Sequence, residues 1–318
     1  MKLLVTGGAG YVGSVVTALL LKEGHEVTVL DDLSTGHRDA VPDGARLVVA
    51  DLHEASDVLD PSVEAVLHFA GKSLVSESVR SPGLYWRTNV SGTLALLEAA
   101  LCHGVRRLVF SSSAATYGEP ASRAPLRETD PAVPTNPYGA TKLAADHLLE
   151  SWSQAYGLGA VSLRYFNVAG AFLGFGERHE TETHLVPNLL KVAAGESEHA
   201  RVFGTDYPTP DGTAVRDYLH VADLADAHLR ALEHVRPGAF RVHNLGTGGG
   251  HSVREVIEAV RRVTGRPVPV VDSPRRPGDP AVLVAANDRA RRELGWEPVR
   301  TLDRTVADAW EFARREER

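Results

Sequence analysis

A glycine-rich turn near the start of the chain is the feature that most constrains its fold. Residues 5–13, VTGGAGYVG, follow an apolar run and precede a helical pattern. They contain Gly8-x-Gly10-x-x-Gly13, which overlaps Gly7-x-x-Gly10-x-x-Gly13. In this context glycines permit a tight turn and let a pyrophosphate approach the positive N-terminus of a helix. The turn therefore predicts a dinucleotide site at the first strand–helix junction.

An acidic pair, Asp31-Asp32, ends the second apolar run at the distance expected for such a site. A carboxylate about 20 residues beyond the glycines can accept hydrogen bonds from an adenosine ribose and repels a 2′-phosphate. The pair therefore favours NAD over NADP. The residues alone leave open a plain turn followed by a solvated acidic pair.

Short apolar runs alternate with helical patterns through the first half of the chain, which predicts an α/β fold. Continuous Val/Leu/Phe runs between helices are typical of a doubly wound parallel (Rossmann) sheet covered on both faces. The predicted strands are 2–6, 26–30, 46–49, 65–69, 107–111 and 160–164, and the predicted helices include 13–23, 82–103 and 138–156.

The pattern loosens after about residue 165, where glycine, proline and polar residues crowd 170–183, 204–213 and 273–280. We therefore expect a dinucleotide-binding domain over 1–165 and a smaller, interleaved α+β substrate region over 166–318. Two pieces of the second half, a helix over about 218–234 and a strand over about 241–245, are expected to return to the main sheet.

Composition narrows the function classes. The net charge of −7 over 318 residues disfavours nucleic-acid binding. A single cysteine, Cys102, cannot form an intrachain disulfide, which fits a reducing cytoplasm. No apolar run approaches the roughly 18 residues of a membrane span, and the first one is too short for a signal peptide. We expect a cytoplasmic protein without a membrane partner.

Tyr138 and Lys142 are four residues apart behind Pro137, and they would share one face of a helix. Alone they could be a half-buried aromatic and a surface charge. However, the strand over 107–111 runs into Ser111-Ser112-Ser113, at the end of the sheet where ligands bind. Ser113, Tyr138 and Lys142 are therefore candidates for one catalytic group.

The chain as a whole resembles the UDP-glucose (UDP-galactose) 4-epimerases of the extended short-chain dehydrogenase/reductase family. The resemblance covers nearly all of the sequence. In chain order the shared motifs are VTGGAGYVGS, HFAGKSLVSES, NVSGT, FSSSAATYG, PYGATK, LRYFNVAGA, VFGTDYPTPDGT-VRDYLHV-DLA, NLGTG and RRPGD.

The resemblance implies an NAD-dependent, reversible C4 epimerisation. In it Tyr138 is base and acid at the sugar 4-hydroxyl, Ser113 steers the proton, and Lys142 holds the nicotinamide ribose and lowers the Tyr138 pKa. A hydride leaves C4, gives a transient 4-keto sugar, and returns on its other face. Related dehydratases carry acidic residues just after the catalytic Ser or Thr, where this chain has Ala114 and Ala115, which favours simple epimerisation.

Further site residues follow from the motifs and the resemblance. The predicted cofactor residues are Gly7, Gly10, Tyr11, Val12, Gly13, Asp31, Asp32, Asp51, Leu52, Phe69, Ala70, Gly71, Asn89, Ser111, Tyr138, Lys142, Tyr165 and Phe166. The predicted substrate residues are Ser113, Tyr138, Asn167, His184, Leu185, Phe203, Arg216, Arg276, Asp279 and Leu283. Among them the two arginines would clamp the pyrophosphate, since guanidinium forks suit it.

Two alternatives stay open. Leu283, of intermediate size, would border the sugar, so an epimerase of UDP-N-acetylglucosamine or UDP-glucuronate is an alternative. An NAD-sensing binding protein is a second alternative, although it would not need Ser113, Tyr138 and Lys142.

The resemblance implies a homodimer paired through helices near 90–103 and 138–156. The run from Glu177 to His184 is rich in His and Glu, but its spacing is not HExxH, and we expect no metal.

Overall fold

A computed structural model describes residues 1–179, 182–276 and 278–316 of the protein. The strands are β1 Lys2–Thr6, β2 Glu26–Asp31, β3 Arg46–Val49, β4 Ala65–His68, β5 Arg107–Ser113, β6 Gly159–Tyr165, β7 Asn167–Ala169, β8 Ala200–Phe203, β9 Val215–Arg216, β10 Tyr218–His220, β11 Phe240–Leu245, β12 His251–Ser252, β13 Val270–Ser273 and β14 Val282–Leu283. The helices are α1 Tyr11–Lys22, α2 Ala55–Val58, α3 Val75–Arg80, α4 Pro82–Tyr85, α5 Gly92–Cys102, α6 Pro137–Tyr156, α7 Leu185–Ala194, α8 Val221–His234, α9 Val253–Thr264, α10 Asp288–Leu294 and α11 Leu302–Glu316.

A seven-stranded parallel sheet forms the centre of the fold, in the order β11-β6-β5-β4-β1-β2-β3. The chain moves outward from β1 in one direction and returns through β4 to build the other half, so the order reverses between β1 and β4. All four residues of β4 are buried, as expected for a strand covered on both faces. The predicted doubly wound α/β fold is confirmed.

Helices cover the two faces of this sheet with separate apolar cores. On one face α1 and α8 pack through Val15, Val16 and Leu224 against the strands. On the other, α5 and α6 contribute Leu96 and Leu149. The catalytic candidates on α6 are therefore held against β5 and β6 by burial rather than by loop contacts.

The second half of the chain builds a smaller layer beside the sheet. A three-stranded sheet β12-β9-β14 and the pair β13-β8 adjoin a core shared by α7, α9 and α11. The strand predicted over 241–245 does return to the main sheet, as β11 beside β6.

Some predicted bounds differ from the observed ones. The helix expected over about 218–234 starts only at Val221, because Tyr218–His220 forms β10 and pairs with β7. His220 then caps the helix by accepting a hydrogen bond from the Ala222 amide at 2.9 Å. The helix expected over 82–103 is interrupted by a π-helical turn, Trp86–Ser91. Within the described ranges, no helix is both long and apolar enough to cross a membrane.

Candidate active site

One cavity of about 1680 Å³ lies along the carboxyl ends of the main-sheet strands and extends to the smaller layer. Every residue predicted to bind cofactor or substrate lines it, except Asn89. This is the edge of a doubly wound sheet at which ligands bind. Residues far apart in the sequence are thus brought to one surface by the parallel topology.

The glycine turn between β1 and α1 is packed so closely that side chains would not fit. A Cβ on Gly7, at φ +72°, would lie 2.5 Å from the Ala70 amide nitrogen, and one on Gly13 would lie 2.2 Å from the Gly7 carbonyl oxygen. Helix α1 begins after Gly10 with no side-chain cap and no acidic residue in its first turn. Its free backbone N–H groups and positive dipole end therefore form an anion site that faces the cavity.

Asp31 ties the end of β2 to the glycine turn. Its carboxylate accepts hydrogen bonds from the amides of Ala9 and Leu33, each at 2.9 Å. Burial raises the pKa of Asp31, and these two hydrogen bonds oppose the shift. Each oxygen keeps a lone pair for a ribose hydroxyl, so the residue can both shape the turn and bind a sugar. The neighbouring Asp32 is exposed at the cavity wall.

The local sequence explains how Tyr138 meets Ser113. Asn136 caps α6 by accepting from the Gly139 amide at 2.9 Å, and Pro137 occupies the first helical position. A Cβ on Gly139 would lie 2.3 Å from the Ala115 carbonyl oxygen, so glycine lets the helix start against the turn that follows β5. Tyr138 is brought beside Ser113 in this way, and a hydrogen bond with Ser113 acts on the Tyr138 pKa.

Burial shifts the ionisation of both Tyr138 and Lys142. Burial raises the pKa of Tyr138, and the hydrogen bond with Ser113 opposes this shift. The Lys142 ammonium donates a hydrogen bond to the Ser111 carbonyl oxygen at 2.8 Å. Burial also lowers the pKa of Lys142 itself to about 8, while Asp146 one turn further on opposes the shift.

Asn89 stands apart from the other predicted cofactor residues. It is 2% exposed, and its amide bridges the backbone N–H and C=O of Lys72 at 2.8 and 3.0 Å. It also donates to the Thr141 hydroxyl at 3.0 Å. Thr141 lies between Tyr138 and Lys142 on α6, so Asn89 positions the loop after β4 relative to the catalytic helix.

The predicted substrate residues form a second group in the smaller layer. Arg216 in β9 lies opposite Leu283 in β14 and is ion-paired with Asp279. The Arg276 guanidinium lies 4.1 Å from the centre of the Phe203 ring. Planar cations and an aromatic face next to each other suit a nucleoside diphosphate.

The remaining predicted contacts lie between these two groups. Leu283 packs against a small cluster that includes Phe166, and the Tyr165 hydroxyl hydrogen-bonds with the Ser111 hydroxyl. Asn167 opens β7 on the same wall of the cavity. His184 precedes α7, whose first residue is Leu185. Burial lowers the pKa of His184, but hydrogen bonds to Glu177 and Glu182 outweigh this and raise it to about 10.

Two buried carboxylates that support the site, Asp217 and Asp146, are not among the residues predicted from the sequence. Asp217 is buried and accepts hydrogen bonds from Thr247, Gly248 and Ala285, so it fixes the strand that carries Arg216. Asp146 accepts from Ser162 and Arg164 and anchors α6 to β6. Their sequence neighbours carry no signal of this, because the partners are 16 to 68 positions away.

Comparisons with known proteins agree with this geometry. Residues 3–246 match the NAD dependent epimerase/dehydratase family. The UDP-glucose 4-epimerase of Corynebacterium glutamicum is 55% identical over 98% of this chain and 95% of its own. That of Streptomyces lividans is 56% identical over the same shares. The crystal structure of the UDP-glucose 4-epimerase from Brucella ovis in complex with NAD superposes with a TM-score of 0.93, at 44% identity, over 98% of this chain and 97% of its own.

The chain belongs to the NAD dependent epimerase/dehydratase family. The predicted family resemblance and NAD as the cofactor are thereby confirmed. The site of this family member also fits NAD by its own features. The glycine turn leaves room at an uncapped helix N-terminus for a pyrophosphate, and Asp31 offers carboxylate lone pairs beside it.

Proposed function

We propose that the protein interconverts UDP-galactose and UDP-glucose by epimerisation at C4 of the sugar. The observation that carries this proposal is the meeting of Tyr138, Ser113 and Lys142 in one cavity that also contains a dinucleotide turn and an arginine pair. That combination would put a proton-transfer group between a redox cofactor and a nucleotide sugar, as the reaction requires. The chain's family and its relatives support the same reaction.

Tyr138 would transfer the proton of the sugar 4-hydroxyl. Its burial favours the neutral phenol, which suits the acid role, and proton removal needs positive charge nearby. The Lys142 ammonium, one helical turn away, can supply that charge when it turns from the Ser111 carbonyl towards a bound ribose. Ser113 would donate a hydrogen bond to the sugar 4-oxygen and keep the phenol aligned. NAD, held by the glycine turn and Asp31, supplies hydride acceptance and return at C4 when bound.

The nucleotide portion would be held in the smaller layer. Arg216 and Arg276 are placed to neutralise the pyrophosphate, and Phe203 offers a face to the base. Asp279, paired with Arg216, can orient that guanidinium and accept from a ribose hydroxyl. Anchoring the nucleotide while leaving the sugar free is what allows both faces of C4 to meet the cofactor.

Leu283 supports a preference for the unmodified hexoses. It lies at the cavity wall, packed against the cluster that includes Phe166, and leaves less room than a small residue would. We expect UDP-N-acetyl sugars to be converted less efficiently than UDP-galactose. Equal or higher efficiency on UDP-N-acetylglucosamine or UDP-glucuronate would replace the proposed substrate with that sugar.

We further propose a cytoplasmic homodimer. Helices α5 and α6 carry half-buried apolar side chains at Leu94, Leu101 and Leu148, and Trp86 just before α5 is 45% exposed. A neighbouring copy would cover this apolar face. Cys102, the one cysteine, suits a reducing compartment.

The test is conversion of UDP-galactose by purified protein without added cofactor, with bound NAD measured separately. Tyr138→Phe should lower turnover by about 10³-fold or more while NAD occupancy stays unchanged, because general acid–base groups contribute about 10²–10⁴-fold. Tyr156→Phe, on the exposed end of the same helix, is the matched control and should keep full activity. Wild-type turnover in Tyr138→Phe would remove the proposed base, and NAD binding without any conversion would favour the sensor alternative.

A further inference from the structure

Glu177, His179, Glu182 and His184 converge at the wall of the cavity. Their nearest ligand atoms, one from each residue, all lie within 4.8 Å of one another. Both carboxylates are deeply buried, with side chains 6% and 5% exposed for Glu177 and Glu182. From the spacing alone we expect no metal here, since it is not HExxH, but the fold brings the four side chains together.

The contacts inside this cluster offer more lone pairs than protons. His184 Nδ1 lies 2.7 Å from Glu177 Oε1 and 2.9 Å from Glu182 Oε1, and His179 Nδ1 lies 2.9 Å from Glu177 Oε1. Two ring nitrogens can carry two protons for these three contacts. Glu177 Oε2 is buried as well and has no hydrogen-bond partner among the described residues. An unpartnered carboxylate oxygen is costly unless a further positive group binds it.

We propose that these four side chains bind a divalent transition-metal ion, with Zn²⁺ as the best match. Two imidazoles and two carboxylates form the nitrogen and oxygen donor set that Zn²⁺ accepts in a tetrahedral site. Donor atoms about 2.0–2.1 Å from a tetrahedral ion are about 3.3 Å apart. The observed separations of these atoms, from 2.7 Å to at most 4.8 Å, lie on both sides of that value.

With all four positions filled by protein, the ion would be structural rather than catalytic. It would join the first pair of ligands, Glu177 and His179, to the second pair, Glu182 and His184, which leads directly into α7. The same loop is held from the other side, where Arg178 pairs with Asp39 at 3.0 Å and its carbonyl oxygen contacts His37 Nε2 at 2.9 Å. The ion would therefore fix a segment that spans from the cofactor side of the cavity to the substrate side.

The experiment is Zn²⁺ binding to the intact holoenzyme after removal of metal with a chelator. We expect one Zn²⁺ per chain in a competition titration against a chromophoric chelator, a visible Co²⁺ spectrum typical of tetrahedral coordination, and a higher melting temperature with Zn²⁺. Glu177→Gln and His179→Ala should each weaken Zn²⁺ binding by about 100-fold or more, since even outer-shell partners cost about 10–100-fold.

His251→Gln is the matched control, because His251 lies 3.9 Å from Glu255 outside the cluster. This variant should bind Zn²⁺ as the wild type does, and added Zn²⁺ should raise its melting temperature by the same amount. Less than one Zn²⁺ per wild-type chain would overturn the proposal without reference to any variant. Unchanged Zn²⁺ affinity in folded Glu177→Gln would overturn it too, and the cluster would then be a set of ion pairs.

Discussion

At the scale of single residues, the buried ammonium of Lys142 lowers the stability of the fold. It is 5% exposed, and burial lowers its pKa from 10.5 to about 8. Below pH 8 both the folded and the unfolded chain carry this proton, so the full cost of burying the charge is present. Between pH 8 and about 10.4 the folded protein has lost the proton and the unfolded chain retains it, so stability rises with pH there.

We predict that Lys142→Met removes this pH dependence as well as the activity. The stability of the NAD-free wild type relative to Lys142→Met should rise by about 3 kcal/mol between pH 7 and pH 10, at about 1.4 kcal/mol per pH unit. Urea unfolding of both proteins at pH 7, 8.5 and 10 measures the difference. Parallel curves for the two proteins would show that Lys142 keeps an ordinary ionisation in the fold.

Gly13 illustrates a requirement for space rather than for a positive φ. A Cβ there would lie 2.2 Å from the Gly7 carbonyl oxygen and 2.9 Å from the Gly8 Cα, both backbone atoms that cannot rotate away. Gly13→Ala should destabilise the fold by about 1–3 kcal/mol, as overpacking does, and should reduce the NAD retained on purification. The control is Gly249→Ala, where the nearest atom is 4.0 Å away. An unchanged NAD content in Gly13→Ala would contradict the close packing of the turn.

At the scale of elements, a buried ion pair joins the catalytic helix to the sheet. Arg164 in β6 donates two hydrogen bonds to Asp146 in α6, at 2.8 and 3.0 Å, and the side chains are 7% and 3% exposed. The Ser162 hydroxyl donates to the other carboxylate oxygen at 2.6 Å. Since Tyr138 and Lys142 lie two turns and one turn before Asp146, this pair sets where α6 sits against the sheet.

Removal of one partner of the Asp146–Arg164 pair should lower the free energy of unfolding more than removal of both partners. Asp146→Ala would leave the Arg164 charge buried without a partner, and we expect a loss of about 3–5 kcal/mol in the free energy of unfolding. Asp146→Leu combined with Arg164→Met should recover most of it, because buried pairs replaced by apolar groups are often neutral. Urea unfolding of the single and double variants measures both. A double variant no more stable than Asp146→Ala would mean that the pair itself stabilises the contact.

Elements with a clear apolar period could be predicted, and those fixed by tertiary contacts could not. The bounds of β1 and β3 match the sequence prediction, since each is an apolar run between turn residues. The sequence predicts a helix for Tyr218–His220, because these residues continue into α8 without a break. Its pairing with β7, some 50 residues earlier, decides in favour of a strand. The π-helical turn before α5 likewise could not be predicted, because its residues show no apolar period of their own.

At the scale of the whole molecule, motifs indicate which residues form the proposed catalytic trio, whereas packing decides the pKa values of these residues. Ser113, Tyr138 and Lys142 could be found from the PYGATK spacing and the serines that end β5. The raised Tyr138 pKa could not be foreseen, because it follows from burial by residues contributed by several elements. The Glu/His run from Glu177 to His184 could be seen in the sequence, but its spacing gave no sign that four of its side chains converge.

The proposed dimer makes a prediction about the apolar face on α5 and α6. In a two-fold interface the same patch meets itself, so a charge placed at Leu94 or Leu148 faces or adjoins its own copy. Leu94→Glu combined with Leu148→Glu should therefore dissociate the dimer, because two like charges would be desolvated together in each half of the interface. Sedimentation equilibrium should then give 34.2 kDa, the mass of one chain, where the wild type gives twice that mass. Val271→Glu, at a position 47% exposed on β13, is the control and should remain dimeric. A wild type that sediments as one chain, or a double variant that stays dimeric, would show that the copies pair elsewhere or not at all.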